Sequence, residues 1–307
     1  MKYGLALPQA AGFDLATDVA AVARTAEDAG YASVWVYERV LFPLEPADGM
    51  NGIPGLPWID FYRECADALT VLTVAATATQ RVGLGTSVLI APLHQPLHLA
   101  RALATIDRVS GGRVTAGFGS GWSSDEYRAA GVAFDGRGRA LEETIEACRA
   151  FWAENPVTYA GERSVVTNAL VNPKPASPIP VLVGGGKTPR ALARIGRTAD
   201  GWLPTGLPLP VVADGWQRIR EAAEGAGRDA NALRLVPRAG VMLTEAPAPA
   251  DRRAFQGTLD QVLEDVAAVA KLGADELVLD LFPSARDGQE LRDRAVEVRD
   301  ALTSAGL

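Results

Sequence analysis

Cysteine is scarce in this 307-residue chain: Cys65 and Cys148 are the only two, and they form no Cys-x-x-Cys pair. That excludes a disulfide framework and a thiolate metal centre, and both read as buried free thiols inside helical patterns. Histidine is equally rare, with His94 and His98 alone. Two imidazoles without a third ligand do not make a metal site, so no metal is expected. Positive charge is in deficit, 30 Lys and Arg against 37 Asp and Glu for a net charge of -7, with no basic run. The electrostatic footprint of a nucleic-acid partner is therefore missing. No apolar run is long enough to cross a bilayer and the first residues lack a signal-peptide core, so no membrane partner and a cytoplasmic location are expected. A Gly-x-Ser-x-Gly element, a P-loop and a spaced nucleophile, base and acid trio are all wanting, which leaves covalent hydrolysis without a candidate. The chemistry is expected to come from a bound cofactor.

With 48% hydrophobic and 22% charged residues, the chain can bury a large core,. Eight short apolar runs, at residues 3–7, 33–37, 82–89, 114–118, 181–184, 201–203, 235–243 and 277–281, read as strands,. Amphipathic helical segments lie at 14–30, 96–111, 139–152, 188–197, 258–273 and 289–304,. Thr258 with Gln261 and Ser123 with Glu126 both read as capping boxes. Strands of unbroken apolar character alternating with helices predict one α/β domain over residues 1–307. The predicted architecture is a (β/α)8 TIM barrel, with an open doubly wound sheet as the competitor. Pro- and Gly-rich stretches at 41–60, 155–179 and 244–257 exceed ordinary loop length. In a barrel the first and third are insertions at the C-terminal face, where ligands bind.

Two strand ends open into Gly- or Pro-punctuated loops: Gly85 to Pro92, and Gly117-Phe118-Gly119-Ser120-Gly121-Trp122. Glycine allows a flat ligand to approach the backbone, so the pair suggests a shared pocket. The spacing Gly117-x-Gly119-x-Gly121 is not the dinucleotide fingerprint. Beyond it, Ser123 starts a helix whose first turn holds Asp125 and Glu126, reading either as a binding edge or as a tight turn. Gly184-Gly185-Gly186-Lys187-Thr188-Pro189 reads as a phosphate cradle: glycines leave a strand end, a cation follows, Thr188 caps, and Pro189 suits the first helical position. The alternative is a loop whose glycines only solve a turn. Gly201 and Trp202 enter the next strand beside it, and Trp202 either walls a ring system or fills the core. Strand two ends in Tyr37-Glu38-Arg39, an adjacent acid and base at a ligand-facing end, against the alternative of a surface ion pair. Pro96 leaves His94 in the loop as a wall or proton donor, whereas His98 reads as a helix residue.

Taken together, Leu84-Gly85-Thr86-Ser87-Val88-Leu89, the run Leu99-Ala100-Arg101 to Arg113, and Gly119-x-Gly121-Trp122-x-x-Asp125-Glu126-Tyr127 resemble the luciferase-like monooxygenase superfamily. The likeness is greatest to its coenzyme F-420 (deazaflavin)-dependent branch. It implies a luciferase-like barrel with the deazaflavin ring at the C-terminal face and a non-proline cis peptide at Ser87-Val88 backing it. It further implies phosphate contacts at Gly184, Gly185 and Thr188, a ring-side Glu38, and a homodimer. Cofactor contacts are accordingly expected at Ser87, Val88, Gly119, Gly121, Trp122, Asp125, Gly184, Gly185, Gly186, Thr188, Gly201 and Trp202, with Glu38, Arg39 and His94 as catalytic candidates. Arg39 departs from a catalytic histidine in several relatives, and Trp122 from a glutamate in deazaflavin sugar-phosphate dehydrogenases. Arginine is a poor general base, though it can hold an anion, so a proton relay has to draw on Glu38, His94 or Tyr37. The expected reaction is hydride transfer between coenzyme F-420 and a small organic substrate. The alternatives are an FMN-dependent monooxygenase fed by a separate reductase, a non-catalytic flavin-binding protein, and a non-redox barrel enzyme binding a sugar phosphate.

Overall fold

The computed structural model describes residues 1–186 and 188–307; Lys187, the cation expected in the cradle, lies outside the described residues. In chain order the elements are β1 (Lys2–Ala6), α1 (Asp18–Asp28), β2 (Ser33–Val36), α2 (Ala68–Ala78), β3 (Gly83–Thr86), β4 (Leu89–Ile90), α3 (Pro96–Ser110), β5 (Val114–Gly119), α4 (Ser124–Ala129) and α5 (Arg137–Trp152). Then follow β6 (Val157–Ala160), β7 (Val165–Ala169), β8 (Val181–Gly184), α6 (Pro189–Thr198), β9 (Gly201–Leu203), α7 (Leu209–Gly225), β10 (Arg234–Leu235), β11 (Arg238–Gly240), β12 (Met242–Leu243), β13 (Gln256–Gly257), α8 (Leu259–Lys271), β14 (Glu276–Asp280) and α9 (Gly288–Ser304).

Among the described residues ten strands form one sheet in the order β10-β9-β8-β5-β3-β2-β1-β14-β11, with β4 pairing β5 off this path, and every pairing in it is parallel. Helices connect most of its strands, in keeping with parallel pairing,. Both faces are apolar, and alternation along each strand sorts the residues between them. Val34, Val36, Val181, Val183, Leu277 and Leu279 join helix residues such as Val22, Leu72, Leu103 and Ile145 in the larger core. Their alternates Trp35, Leu182 and Val278 meet Leu203 and Val236 in a second cluster, with Val88 packed against it. Strands far apart in the order thus converge on one face, and the sheet curls around it. Glycine makes room there: a Cβ on Gly85 would strike the Trp35 indole.

Several elements differ from expectation. The 82–89 run breaks at Ser87-Val88 into β3 and β4, and the 235–243 run divides into β10, β11 and β12. Helices α2 and α7 were not expected. The 155–179 stretch is no open loop, because β6 and β7 pair antiparallel within it. Thr258 and Gln261 do form a reciprocal capping box. Ser123 and Glu126 do not: Ser123 Oγ accepts from the Glu126 N–H, but the Glu126 carboxylate goes elsewhere. Cys148 is buried, whereas Cys65 is only half-buried. No helix among the described residues is long and apolar enough to cross a membrane.

Candidate active site

At the end of β2 the chain sends Glu38 and Arg39 in different directions. Glu38 reaches the turn before α3, where its Oε1 lies 2.8 Å from His94 Nε2 and its Oε2 accepts from the Ile90 N–H at 2.6 Å. The local sequence places His94 there, since a short turn at Ala91–Leu93 ends on it, Gln95 caps α3 by accepting from the Leu97 N–H, and Pro96 begins the helix. Side-chain exposure is 24% for His94 and 8% for Glu38. Burial opposes the His94 proton, but the bond to Glu38 and its negative charge outweigh burial and hold the imidazole above its ordinary range,.

Arg39 turns toward α4, where Nη1 meets Glu126 Oε2 at 3.1 Å with only 8% and 1% of the two side chains exposed. The groups meet as charges rather than as an aligned hydrogen bond. The guanidinium lies 4.7 Å from the Trp122 ring centroid, 5.7 Å from Trp58 and 5.9 Å from Tyr62. The other Glu126 oxygen accepts from the Val40 N–H at 2.8 Å. Burial pushes Glu126 above the usual carboxylate range, with Arg39 pulling it back. The surface ion-pair alternative for Glu38 and Arg39 is therefore overturned: both side chains are buried, they form no ion pair with each other, and Arg39 Nε donates instead to the Glu38 carbonyl at 2.7 Å. Asp125 accepts from the Ala47 N–H at 2.8 Å, tying the segment after β2 to α4.

Between β3 and β4 the Ser87-Val88 peptide is cis. Its carbonyl and the peptides on either side of it are held from several sides. Ser87 N–H donates to the Val36 carbonyl at 2.6 Å, Glu38 N–H donates to the Val88 carbonyl at 3.2 Å, and Arg238 Nη1 donates to the Ser87 carbonyl at 2.6 Å. Arg238 is anchored in turn on Asp280 at 2.6 Å. The Val88 methyls explain two of the glycines, since a Cβ on Gly119 would lie 2.6 Å from one and a Cβ on Gly184 would lie 2.7 Å from the other. Gly121, at φ +64, approaches Ile90 in the same way. Among the described residues, Ser87 Oγ and the Tyr37 hydroxyl are buried without a hydrogen-bond partner.

After β8 the chain bends through Gly185 and Gly186, at φ +94 and +92, a region that disfavours side chains,. A Cβ on Gly185 would enter open space, while one on Gly186 would come within 3.0 Å of Leu192 and Trp202. Trp202 Nε1 donates to the Gly185 carbonyl at 2.8 Å, and Thr188 Oγ1 caps α6 by accepting from the Ala191 N–H at 3.2 Å. Trp202 is fully buried beneath this bend. Gly201 is a packing glycine, because a Cβ there would strike the Arg234 carbonyl. Next to the bend opens a cavity of about 290 Å³ whose lining includes Ser120, Arg137, Arg139, Thr188, Arg190 and Arg194. The bend and cavity offer backbone dipoles and cations together, an arrangement suited to an anion.

The contacts thus bring Glu38, His94, Ser87, Val88, Gly119 and Gly184 into one patch, with Gly185, Gly186 and Thr188 continuing from it. Arg39 and Trp122 gather around Glu126 of α4, Asp125 holds the segment after β2, Trp202 and Gly201 lie below, and His98 is exposed on α3. Sequence reasoning missed Arg238 and Asp280, although a lone charge inside an otherwise apolar run was the available signal. It missed the Arg39–Glu126 pairing, Trp58 and Tyr62 because their partners are distant in the chain. Among the described residues no group of three His, Cys, Asp or Glu is placed to hold a metal ion.

The family model described as luciferase-like monooxygenase matches residues 3–298. An uncharacterised protein of Mycobacterium tuberculosis is 36% identical over 238 residues, covering 75% of this chain and 80% of the relative. A protein of Kineococcus radiotolerans named F-420-dependent glucose-6-phosphate dehydrogenase is 30% identical over 270 residues, 83% of this chain and 74% of the relative. Among solved structures, a monooxygenase from Streptomyces bottropensis superposes with a TM-score of 0.80 at 22% identity, with 100% of both chains covered.

Proposed function

Since this chain belongs to the luciferase-like monooxygenase family and is an oxidoreductase, we propose that it moves a hydride between coenzyme F-420 and a small organic substrate. One observation carries the reading: the Val88 shelf between two glycines runs directly into the Gly185–Gly186 bend, so a flat ring and an anionic tail find adjoining supports. The name of the Kineococcus relative points the same way. The residues fit such a group. Gly185 has open space where a side chain would stand, and Ser87 Oγ is a buried polar atom awaiting a partner. Gly184, Gly185, Gly186 and Thr188 would hold the phosphate, while Ser87, Val88 and Gly119 would back the ring.

The bound deazaflavin would supply or accept the hydride. This chain's own contribution is the proton. Glu38, fixed by the Ile90 N–H, accepts from His94 Nε2 and sets the tautomer, so Nδ1 is the atom that exchanges a proton with the substrate oxygen,. Retaining charge above its ordinary range, His94 would donate during reduction of a carbonyl and accept during oxidation of an alcohol. Arg39, paired with the Glu126 carboxylate and stacked against aromatic rings, suits a positioning role for the aromatic wall rather than proton exchange,. The closed (β/α)8 barrel belongs to the same proposal. Val236 and Arg238 donate to Trp202 and Pro204 on one side, while Val278 donates to Pro237 on the other, so residues 234–240 bridge both ends of the sheet.

Equilibrium titration with oxidised coenzyme F-420 and with FMN, oxidised and reduced, tests the cofactor. Saturable binding of the deazaflavin with little affinity for FMN is expected. Tight binding of reduced FMN with oxygen consumption, and indifference to the deazaflavin, would overturn the reading in favour of a monooxygenase. If the loaded protein turns over none of a varied panel of alcohols and carbonyls, it is a binding protein instead.

A further inference from the structure

We propose that Arg163, at the tip of the β6–β7 hairpin, is the positioning residue that aims His94 at Glu38. The inference rests on the reading of His94 as the proton-exchanging group, and gives the tip of a hairpin whose strands pack on the core a task at the site.

The turn at Ala91–Leu93 ends with carbonyls that need donors from elsewhere. Arg163 Nη2 donates to two of them, the Pro92 and His94 carbonyls, at 2.7 Å each. Nη1 donates to Thr144 Oγ1 at 2.6 Å, and the Arg163 N–H donates to the Glu143 carboxylate at 2.6 Å, both on α5. The Arg163 carbonyl in turn accepts from Gln95 Nε2 at 3.1 Å, and Ser164 Oγ accepts from the same amide at 3.1 Å. Gly161 allows this approach, since a Cβ there would collide with Glu143 and Tyr159. One planar fork therefore joins α5 to the Pro92 and His94 carbonyls, holding the His94 backbone while Glu38 holds its ring. Lysine cannot copy that geometry, because its donors radiate from a single nitrogen.

The charges facing His94 are Glu38 from the end of β2, Asp67 from the start of α2 and Arg163 from the hairpin, with Arg39 and Glu126 standing beyond Glu38. Arg163 acts on the imidazole in two opposite ways. As a cation it disfavours the second proton, and as a clamp it preserves the carboxylate contact that favours it. The two roles predict opposite shifts.

The test is the titration midpoint of His94 by NMR on the full chain without cofactor, feasible because only two histidines exist and a His98→Gln variant assigns them. Arg163→Lys keeps the charge and removes the fork, so its His94 midpoint should fall toward the ordinary histidine value. Arg163→Met should also lower it. An unchanged midpoint in Arg163→Lys, or a raised one in Arg163→Met, would overturn the positioning role and leave only a neighbouring charge. If the Met variant does not fold, the Lys variant carries the test alone. Kinetics of the deazaflavin-loaded protein separate this from the underlying reading: kcat/KM should fall on the order of 10- to 100-fold with the midpoint. A lowered midpoint with unchanged kcat would uphold the clamp and refute His94 as the proton donor.

Discussion

Substituting Gly185 probes the anion cradle most directly, because two effects there can be told apart. The residue sits at φ +94, so any side chain incurs backbone strain of about 1–2 kcal/mol,. Among the described residues steric conflict adds nothing, since a Cβ would meet none of their atoms within 4 Å. Gly185→Ala therefore measures strain alone, as a loss of about 1–2 kcal/mol in urea unfolding. Gly185→Asp adds a carboxylate to the space assigned to the cofactor phosphate. Two like charges roughly 4 Å apart repel by about 1 kcal/mol in water and about 4 kcal/mol at an effective dielectric of 20. The aspartate variant should thus bind coenzyme F-420 about 5- to 1000-fold more weakly than the alanine variant, at matched stability. The gap should narrow with added salt, as exposed charges are screened. Fluorescence titration of both variants at low and high ionic strength supplies the numbers. Equal dissociation constants for Ala and Asp would refute the assignment of an anion to this bend.

Two further expectations concern the walls of the site. Arg39→Met leaves Glu126 buried without its cation and should cost about 3–5 kcal/mol near neutral pH,. Glu126 already titrates high and would rise further, so protonation relieves the buried charge and the deficit shrinks on acidification,. Unfolding at pH 5 and pH 8 checks the sign, and an equal deficit at both would refute it. Gly119→Ala should lose about 1–3 kcal/mol by crowding Val88, and Val88→Ala in the same chain should recover part of that loss,. Strictly additive single and double variants would show that the two residues do not touch.

Much of the strand pattern was legible because the strands are short apolar runs with clear punctuation. Helix α2 escaped because its outward positions are Thr70, Thr73, Val74 and Thr77 rather than charges, so no polar stripe marks it. Asp67, whose carboxylate accepts from the Thr70 N–H, was the available sign. Helix α7 was disguised by Pro210 and Gly215. That glycine is there for packing, since a Cβ would press on the Trp202 ring at 2.7 Å. In the site, Glu38, His94 and the triglycine stood out by position at strand ends. Glu126 was misread because a local rule predicted a cap while Arg39, 87 positions earlier, claims the carboxylate. Arg163 carried no local sign, as each of its partners lies on another element. Patterns along the chain reveal periodic burial and turn chemistry; they do not reveal which distant groups share a charge.

The indole of Trp202 draws the Gly185 carbonyl inward. A peptide bend without such an internal donor would show oxygen and N–H alike to whatever approaches, and could ligate sodium as readily as phosphate. With the oxygen occupied from below, the bend discriminates by sign without a titrating group. Its preference for anions should therefore persist across the whole pH range in which the sheet remains folded.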